Sequence, residues 1–382
     1  METRVFDSIA DLEKQEWDEI VETNRLICTH AYIEAIERSR INDCRFFYPV
    51  VYDEGRIAAH ATVYSIRTEL DTFARGVLKK SVEAVRRVWE GFLVLRSLEC
   101  GSPVALGNTM SFARGVDRAK VFTLIREAVE RLAGELGLRV ILFRDFYDDE
   151  TGFYDHLTEF GYRRVRNLPG TRIEIRWKSF EEYLGSMRSH YRRKAEKQLA
   201  LFSGSGLSVE VVRDFSRYAD DLERLWVCAY ERATEYRRER LTAGFFANVD
   251  AVLGEQSAVL LLKKDDRPVG FSLLLLDERT LIPLFCGLDY QYNEQYGVYF
   301  NLLHRVVQFG IEEGMSDIDF GITTIEPKKQ LGAEVVTLNM YMKHRNPLFN
   351  RIVPAAFDML TPKYGPESRN VFKDCSPSPG VT

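Results

Sequence analysis

The sequence predicts an α/β (α+β) chain folded as two mixed-sheet domains in tandem, and three observations lead there. The chain has 382 residues, too many for one ordinary core and suited to two domains of about 190 residues each. A strand-hairpin pattern occurs at Phe46–Ile66 and again at Ser257–Leu276. After Gly297 the apolar spacing lengthens to three and four residues, so a helix follows a strand meander.

Taken in order, Trp17–Ser39 reads as one or two helices. Phe46–Tyr52 and Ile57–Ile66, joined by Asp53-Glu54-Gly55-Arg56, read as a hairpin. Residues 67–96 read as a basic, helical insertion, with Lys79, Lys80, Arg86 and Arg87 beside Val82, Val85, Val88, Trp89 and Phe92. Asp117–Leu136 is an amphipathic helix and Leu138–Phe143 a buried strand. Within Phe153–Tyr162, Gly161 suits a turn of the chain, because the residue after a helix often needs positive φ. A strand ending near Trp177 closes the first domain, 1–177.

Ser179 and Glu182 form a capping box for a linker helix that runs to Phe202, within a linker of 178–206. Phe180, Leu184, Met187, Tyr191, Ala195 and Leu199 make its apolar stripe. The other faces carry Arg188, His190, Arg192, Arg193, Lys194 and Lys197, either a grip for phosphates or a solvated helix face. The second domain, 207–361, opens with helical sequence over Ser216–Ala247. Ser257–Lys264 and Pro268–Leu276 then form a buried hairpin around Asp265-Asp266-Arg267.

Thr280–Cys286 is a third strand, and Pro283 within it cannot donate a ladder hydrogen bond, which implies an edge or a bulge where pairing stops. Val298, Leu302, Leu303, Val306, Val307 and Gly310 then line one face of a helix ending at Gly314, whose N-terminus points at the broken strand. Asp317–Phe320 is a short strand, Gly321–Glu334 a polar loop, and Val335–Lys343 a final strand. Residues 362–382, rich in proline and glycine, read as a flexible tail.

The order βββαββ resembles the core of the GNAT superfamily, and Phe153–Tyr162 resembles its "FY…L…GF" segment. The runs Gly287-Leu288-Asp289, Tyr296-Gly297-Val298-Tyr299, Asp317-Ile318-Asp319-Phe320-Gly321 and Lys328-Lys329-Gln330-Leu331-Gly332-Ala333 resemble the FemAB-like branch, whose members carry two GNAT-like halves. The resemblance implies an N-acyltransferase with no permanently bound cofactor. Its cosubstrate would be an acyl-CoA or acyl-carrier thioester, lying beside the bulged strand with phosphates at the next helix N-terminus, where free N–H groups and the helix dipole attract anions. The acceptor would be an amine of a small molecule or amino acid. The FemAB-like branch offers aminoacyl transfer from charged tRNA as the alternative. A non-catalytic GNAT-fold binding module is a third, since a fold alone does not fix a function.

The GNAT phosphate loop resembles Q/R-x-x-G-x-G/A, whereas Gln295-Tyr296-Gly297-Val298-Tyr299 keeps one glycine among bulky residues. That departure brings a donor carried on an acyl-carrier protein or on tRNA into consideration beside CoA. Transfer to an amine needs a proton acceptor and a proton donor for the leaving group. Asp289, Asp319 and Glu326 are the candidate acceptors. Tyr299 is a candidate donor, with Tyr290, Tyr292 and Tyr296 around the same helix start, where aromatic packing competes as an explanation. Lys328 and Lys329 are candidates for a phosphate or carboxylate, or are solvated lysines. Tyr290, Tyr296, Gly297, Arg192 and Arg193 complete the expected substrate contacts.

Composition narrows the classes. A net charge of -5 provides no general attraction to nucleic acid or anionic membrane. The N-terminus lacks an apolar h-region, and no run approaches the roughly 18 apolar residues of a span, so a cytoplasmic protein with no membrane partner is expected. Six cysteines occur without CxxC spacing, and HExxH is absent, so no metal site is indicated. GxSxG, P-loop and GxGxxG motifs are absent too.

Overall fold

The computed structural model describes residues 1–69, 94–233, 238–352, 357 and 369–373. Most of the insertion read at 67–96 lies outside the described residues, as do 234–237 and most of the tail. Two compact units are present, each built from separate stretches of chain. Met1–Pro169, Arg232–Gly254 and Thr337–Tyr364 form the first, and Gly170–Glu231, Glu255–Val336 and Gly365–Thr382 form the second.

The first unit begins with β1 (Glu2–Phe6), β2 (Arg45–Asp53), β3 (Arg56–Ala61) and β4 (Val63–Glu69). It continues through β5 (Val94–Cys100), β6 (Met110–Phe112), β7 (Val140–Tyr147) and β8 (Arg163–Arg166). The second unit takes β9 (Gly170–Glu174), β10 (Leu207–Val212), β11 (Ser257–Lys264) and β12 (Arg267–Asp277), then β13 (Thr280–Leu288), β14 (Asp317–Gly321) and β15 (Glu334–Val336). The last strand, β16 (Leu338–His344), returns to the first.

The sheets run β6-β3-β2-β4-β5-β7-β16-β8, with β1 beside β2, and β10-β11-β12-β13-β14-β9-β15. The contiguous domains 1–177 and 207–361 therefore need correction at two strands. β9, read as the end of the first half, pairs with β14 and β15, while β16 fills the edge of β7. Val335–Lys343, read as one strand, divides at Thr337, and its two pieces serve different sheets. Local alternation fixes that a segment is a strand but not which distant edge it pairs with.

Both hairpins turn through two residues with positive φ, the backbone twist that suits a two-residue hairpin. They are Glu54 and Gly55 between β2 and β3, and Asp265 and Asp266 between β11 and β12. The second turn is Lys264–Arg267, so Arg267, read as part of the turn, already pairs with Lys264. The expected Ser179 cap and Gly161 stop are present: Ser179 accepts from the Glu182 N–H, and Gly161 ends its helix with φ 84°. Asp117 caps its own helix by accepting from the Lys120 N–H. The linker is two helices rather than one, Phe180–Ser186 and Ser189–Ser203, because Met187 adopts an extended conformation and bridges Phe372. Val371 is buried, and the Phe372 ring lies 4.8 Å from that of Trp177, so these two residues of the expected loose tail are packed. Among the described residues, no helix is long and apolar enough to cross a membrane.

In the second unit the helix Val298–Glu312 lays Leu303, Val306 and Val307 against Leu274, Leu281 and Ile318 of the sheet. Gly310 sets the approach: a Cβ there would lie 3.0 Å from Ile175, 3.2 Å from Ile318 and 3.3 Å from Leu281. Gly310→Leu should therefore overpack this contact and destabilise the unit by about 1–3 kcal/mol. Chemical denaturation checks it, and a wild-type midpoint in the variant would contradict the close approach.

Candidate active site

In the second sheet, β13 and β14 run parallel but pair only at Thr280 with Asp317 and Leu281 with Ile318, then diverge. Pro283 explains part of the opening. Leu273 faces Phe285 while Leu274 faces Pro283, so Leu284 is the extra residue of a bulge, as the proline predicted. Ile282–Cys286 are half-buried although β13 lies inside its sheet, whereas Leu281, Gly287 and Leu288 on either side are buried. The result is a cleft floored by one strand with unpaired backbone on its open side.

The far wall begins where β14 ends. Asp319 Oδ1 accepts from the Gly321 N–H at 2.8 Å, and the chain then passes through left-handed Gly321, Thr323 and Thr324. The polar loop expected here contains a short helix, Ile325–Gln330, which buries both lysines. Lys328 Nζ donates to the carbonyls of Phe320 at 2.7 Å, Ile322 at 3.0 Å and Thr323 at 2.8 Å. Those three bonds use every ammonium proton, so Lys328 ties the loop down rather than presenting a charge to solvent. Burial pushes its pKa down to about 8, with Cys286 and Asp319 pulling the other way.

Tyr299, in the first turn of Val298–Glu312, donates its O–H to Thr324 Oγ1 at 2.9 Å across the cleft. Burial raises its pKa, with Cys286 adding to the rise, so the phenol stays protonated. The Cys286 thiol is likewise pushed up by burial, against a smaller pull from Lys328. Tyr299, Cys286, Lys328 and Asp319 are thus the groups gathered at this opening.

Other expected residues serve different contacts. Asp289 caps the helix Tyr290–Tyr296 by accepting from the Gln291 N–H at 3.1 Å. Gly297, with φ 63° and ψ 40°, turns that helix into the next. Asn293 Oδ1 accepts from the Tyr299 N–H at 2.9 Å, occupying one donor that a bare helix N-terminus would leave free. Tyr290 and Tyr292 pack on an apolar cluster with Val298 and Leu302, and Tyr296 lies ring to ring with Tyr292 at 6.4 Å.

Glu326 pairs with Arg369 at 2.5 Å and with Lys329 at 3.4 Å, and the Arg369 bond leads in lowering its pKa. A carboxylate held ionised between two cations is a poor proton acceptor. Arg193 is exposed and Arg192 half-exposed on Ser189–Ser203, where Arg192 lies 3.7 Å from Glu196 and Arg193 Nε donates to the Ser189 carbonyl. Cys286, Thr324 and Asn293 were not singled out by sequence reasoning. Only Cys286 carried a signal, its place beside Pro283.

Residues 185–330 match the acetyltransferase (GNAT) domain family. "Putative 8-amino-7-oxononanoate synthase 2" of Mycobacterium tuberculosis is 26% identical over 321 residues, which make up 82% of this chain and 41% of the relative. The chain therefore spans less than half the length of the curated relatives it matches. FemX superposes with a TM-score of 0.57 at 12% identity, covering 93% of this chain and 100% of that one. A tandem GNAT protein from the clavulanic acid biosynthesis pathway gives 0.52 at 11% identity, covering 91% and 99%. The C-terminal domain of a putative lysylphosphatidylglycerol synthetase from Agrobacterium fabrum gives 0.54 at 12%, covering 92% and 96%. At these identities the likeness is one of fold, a tandem GNAT fold of FemAB-like type.

The Lys328 clamp generates a pH prediction. Its folded pKa of about 8 lies below the ordinary 10.5. The buried charge therefore costs stability at neutral pH, and the cost shrinks as pH rises between those values. Locally the effect is opposite, because a neutral amine has two N–H groups for three carbonyls. Between pH 7 and 9, hydrogen exchange at residues 321–324 should rise beyond its intrinsic pH dependence, without a fall in thermal midpoint from this group. In Lys328→Met the same amides should exchange fast at both pH values; wild-type protection in that variant would disprove the clamp.

Proposed function

We propose that this chain, an acyltransferase with the tandem GNAT fold, moves an acyl group from a thioester to the amine of a small molecule. The carrying observation is the opened sheet, with the bulge at Pro283–Phe285 and half-buried residues from Ile282 through Cys286. An extended thioester arm laid along that strand meets unpaired N–H and C=O groups, and its carbonyl is polarised by strand donors. The neutral amine attacks, the C–N bond forms and the C–S bond breaks. The amine proton passes to Asp319, and the departing thiolate takes the Tyr299 proton. Tyr299 is the O–H group at this opening, held across the cleft by its bond to Thr324 Oγ1.

The donor is proposed to be carrier-bound or an acyl-CoA anchored chiefly by its arm. Asn293 already occupies the Tyr299 N–H, which leaves less of the helix N-terminus for a pyrophosphate. The mycobacterial relative is named for an 8-amino-7-oxo product, an amine beside a ketone. An acceptor of that class fits the chemistry, since a neighbouring carbonyl lowers amine basicity and enlarges the neutral, nucleophilic fraction at neutral pH.

One observation favours charged tRNA as donor instead. His190, Arg193, Lys194 and Lys197 are exposed on the helix Ser189–Ser203, with Arg192 half-exposed beside them. If they track a nucleic-acid backbone, each contact should contribute about 0.7–0.9 to the salt slope of binding. Filter binding of bulk charged tRNA across a salt series, wild type against Arg192→Ala with Arg193→Ala, separates the donors: a steep slope that flattens in the variant selects tRNA.

For the transfer itself, mass spectrometry of amino ketones and amino acids incubated with the chain and acetyl-CoA or an acylated carrier protein should find N-acyl products. Tyr299→Phe should slow turnover by about 10²-fold or more while leaving thermal stability near wild type. Undiminished turnover in Tyr299→Phe would remove the tyrosine from the reaction, and no acylation from any thioester would remove the thioester donor.

A further inference from the structure

Thr324 stands at the N-cap of the helix Ile325–Gln330, yet its side chain makes no cap hydrogen bond. A threonine in that position ordinarily has an extended backbone and accepts from an N–H of the first turn. Thr29 does so on its own helix, at φ -71° and ψ 149°, accepting from the Tyr32 N–H. Thr324 instead has φ 42° and ψ 44°, and its hydroxyl accepts from Tyr299 Oη at 2.9 Å.

That conformation is strained and held from several directions. Thr323, at φ 71°, and Thr324 are consecutive β-branched residues in the left-handed region, where such side chains are outliers. Lys328 Nζ ties down the carbonyls of Ile322 and Thr323, and Glu326 in the first turn of the short helix pairs with Arg369 at 2.5 Å. Across the cleft, Tyr299 is fixed by its N–H bond to Asn293 Oδ1. A hydroxyl diverted from its own helix by strained backbone, and aimed at one phenol, indicates a use for the contact.

The chemistry of the phenol supplies that use. Burial raises the Tyr299 pKa, Cys286 and Tyr290 add to the rise, and the Thr324 hydroxyl acts against it. A buried phenol is a poor acid unless its anion meets a hydrogen-bond donor. Lys328 is not available as that donor, since its three protons are on backbone carbonyls.

We propose that Thr324 is a positioning residue for the transfer, aiming the Tyr299 phenol in the resting cleft and donating its own O–H to the phenolate once the leaving thiolate is protonated. This rests on the reading of Tyr299 as proton donor. As the S–H bond forms, the Tyr299 O–H bond breaks and its electron pair stays on Oη. The Thr324 hydroxyl, free to rotate, then reverses the direction of the hydrogen bond and keeps its own proton. Thr324 is exposed, so water returns a proton to Tyr299 while Asp319 releases the one it took from the amine.

Two measurements on the full chain test this. With difluorotyrosine at position 299, whose phenol ionises at lower pH than that of tyrosine, fluorine NMR follows one group. Thr324→Val keeps the β-branched shape and puts a methyl where the hydroxyl stood; it should raise the titration midpoint by about one pH unit or more, the worth of a hydrogen bond to a charged group. Thr324→Ser should bring the midpoint back toward wild type. In turnover with acetyl-CoA or an acylated carrier protein, Thr324→Val should lower kcat about tenfold with little change in KM, and should cost nothing further in a Tyr299→Phe background. Equal midpoints in wild type and Thr324→Val, or the same loss of turnover with and without the Tyr299 hydroxyl, would overturn the proposal. Full turnover in Tyr299→Phe would instead remove the tyrosine as donor, and this role for Thr324 with it. A shifted midpoint without turnover of any thioester would sink the thioester reading and leave the coupling of Thr324 to Tyr299 standing.

Discussion

The second unit is organised by a pairing that stops early. β13 and β14 share two residue pairs and then separate, although a parallel ladder gains a hydrogen bond with each residue it continues. Continuation is blocked from both sides. On β13 the proline and its bulge misalign the strand, and on β14 the chain turns through left-handed Gly321, Thr323 and Thr324. The unpaired backbone this leaves is costly when buried and empty, and useful when an extended ligand supplies the missing partner. Lys328 matters for the same reason: the carbonyls of Phe320, Ile322 and Thr323 no longer have strand partners, and one buried ammonium serves all three. The lowered pKa is the electrostatic cost of holding the cleft open.

The sheets also depend on strands supplied out of sequence order. β9 closes the second sheet beyond β14, and β16 lies between β7 and β8 in the first. Each unit therefore needs residues from both ends of the chain, and neither 1–177 nor 207–361 contains a full sheet. This arrangement also accounts for Thr337, where β15 ends and β16 begins: one residue of irregular backbone lets consecutive strands serve separate ladders.

What was legible in the sequence followed from local physics. The hairpins, the Ser179 cap, the Gly161 turn and the Pro283 bulge each rest on a conformational rule acting over a few residues. What was illegible depended on partners far along the chain. Glu326 appeared as a free carboxylate until Arg369, 43 residues on, was found against it. Asp289 sits three residues after Cys286 and looked equally placed for chemistry, but its carboxylate is used as a helix cap. Lys328 and Lys329 read as ligand contacts or as solvated lysines, and the short helix Ile325–Gln330 buries both.

The two units treat the same topological position differently, and the difference bears on division of labour. In both, the strand after the antiparallel meander pairs in parallel with a strand beyond a helix: β13 with β14, and β5 with β7. The second unit abandons that pairing after two positions, whereas the first keeps four, from Ser97 with Val140 to Cys100 with Phe143. A closed ladder has no free backbone to offer an extended thioester. The first unit places its irregularity one step later, at Asp145, where it arranges buried side-chain charges instead of exposing backbone. Buried charges are expensive and survive only when paired, as Glu99 is with Arg144 and Arg238, and Asp145 with Arg144. The same element of the fold thus leaves backbone unpaired in the second unit and keeps its ladder closed in the first.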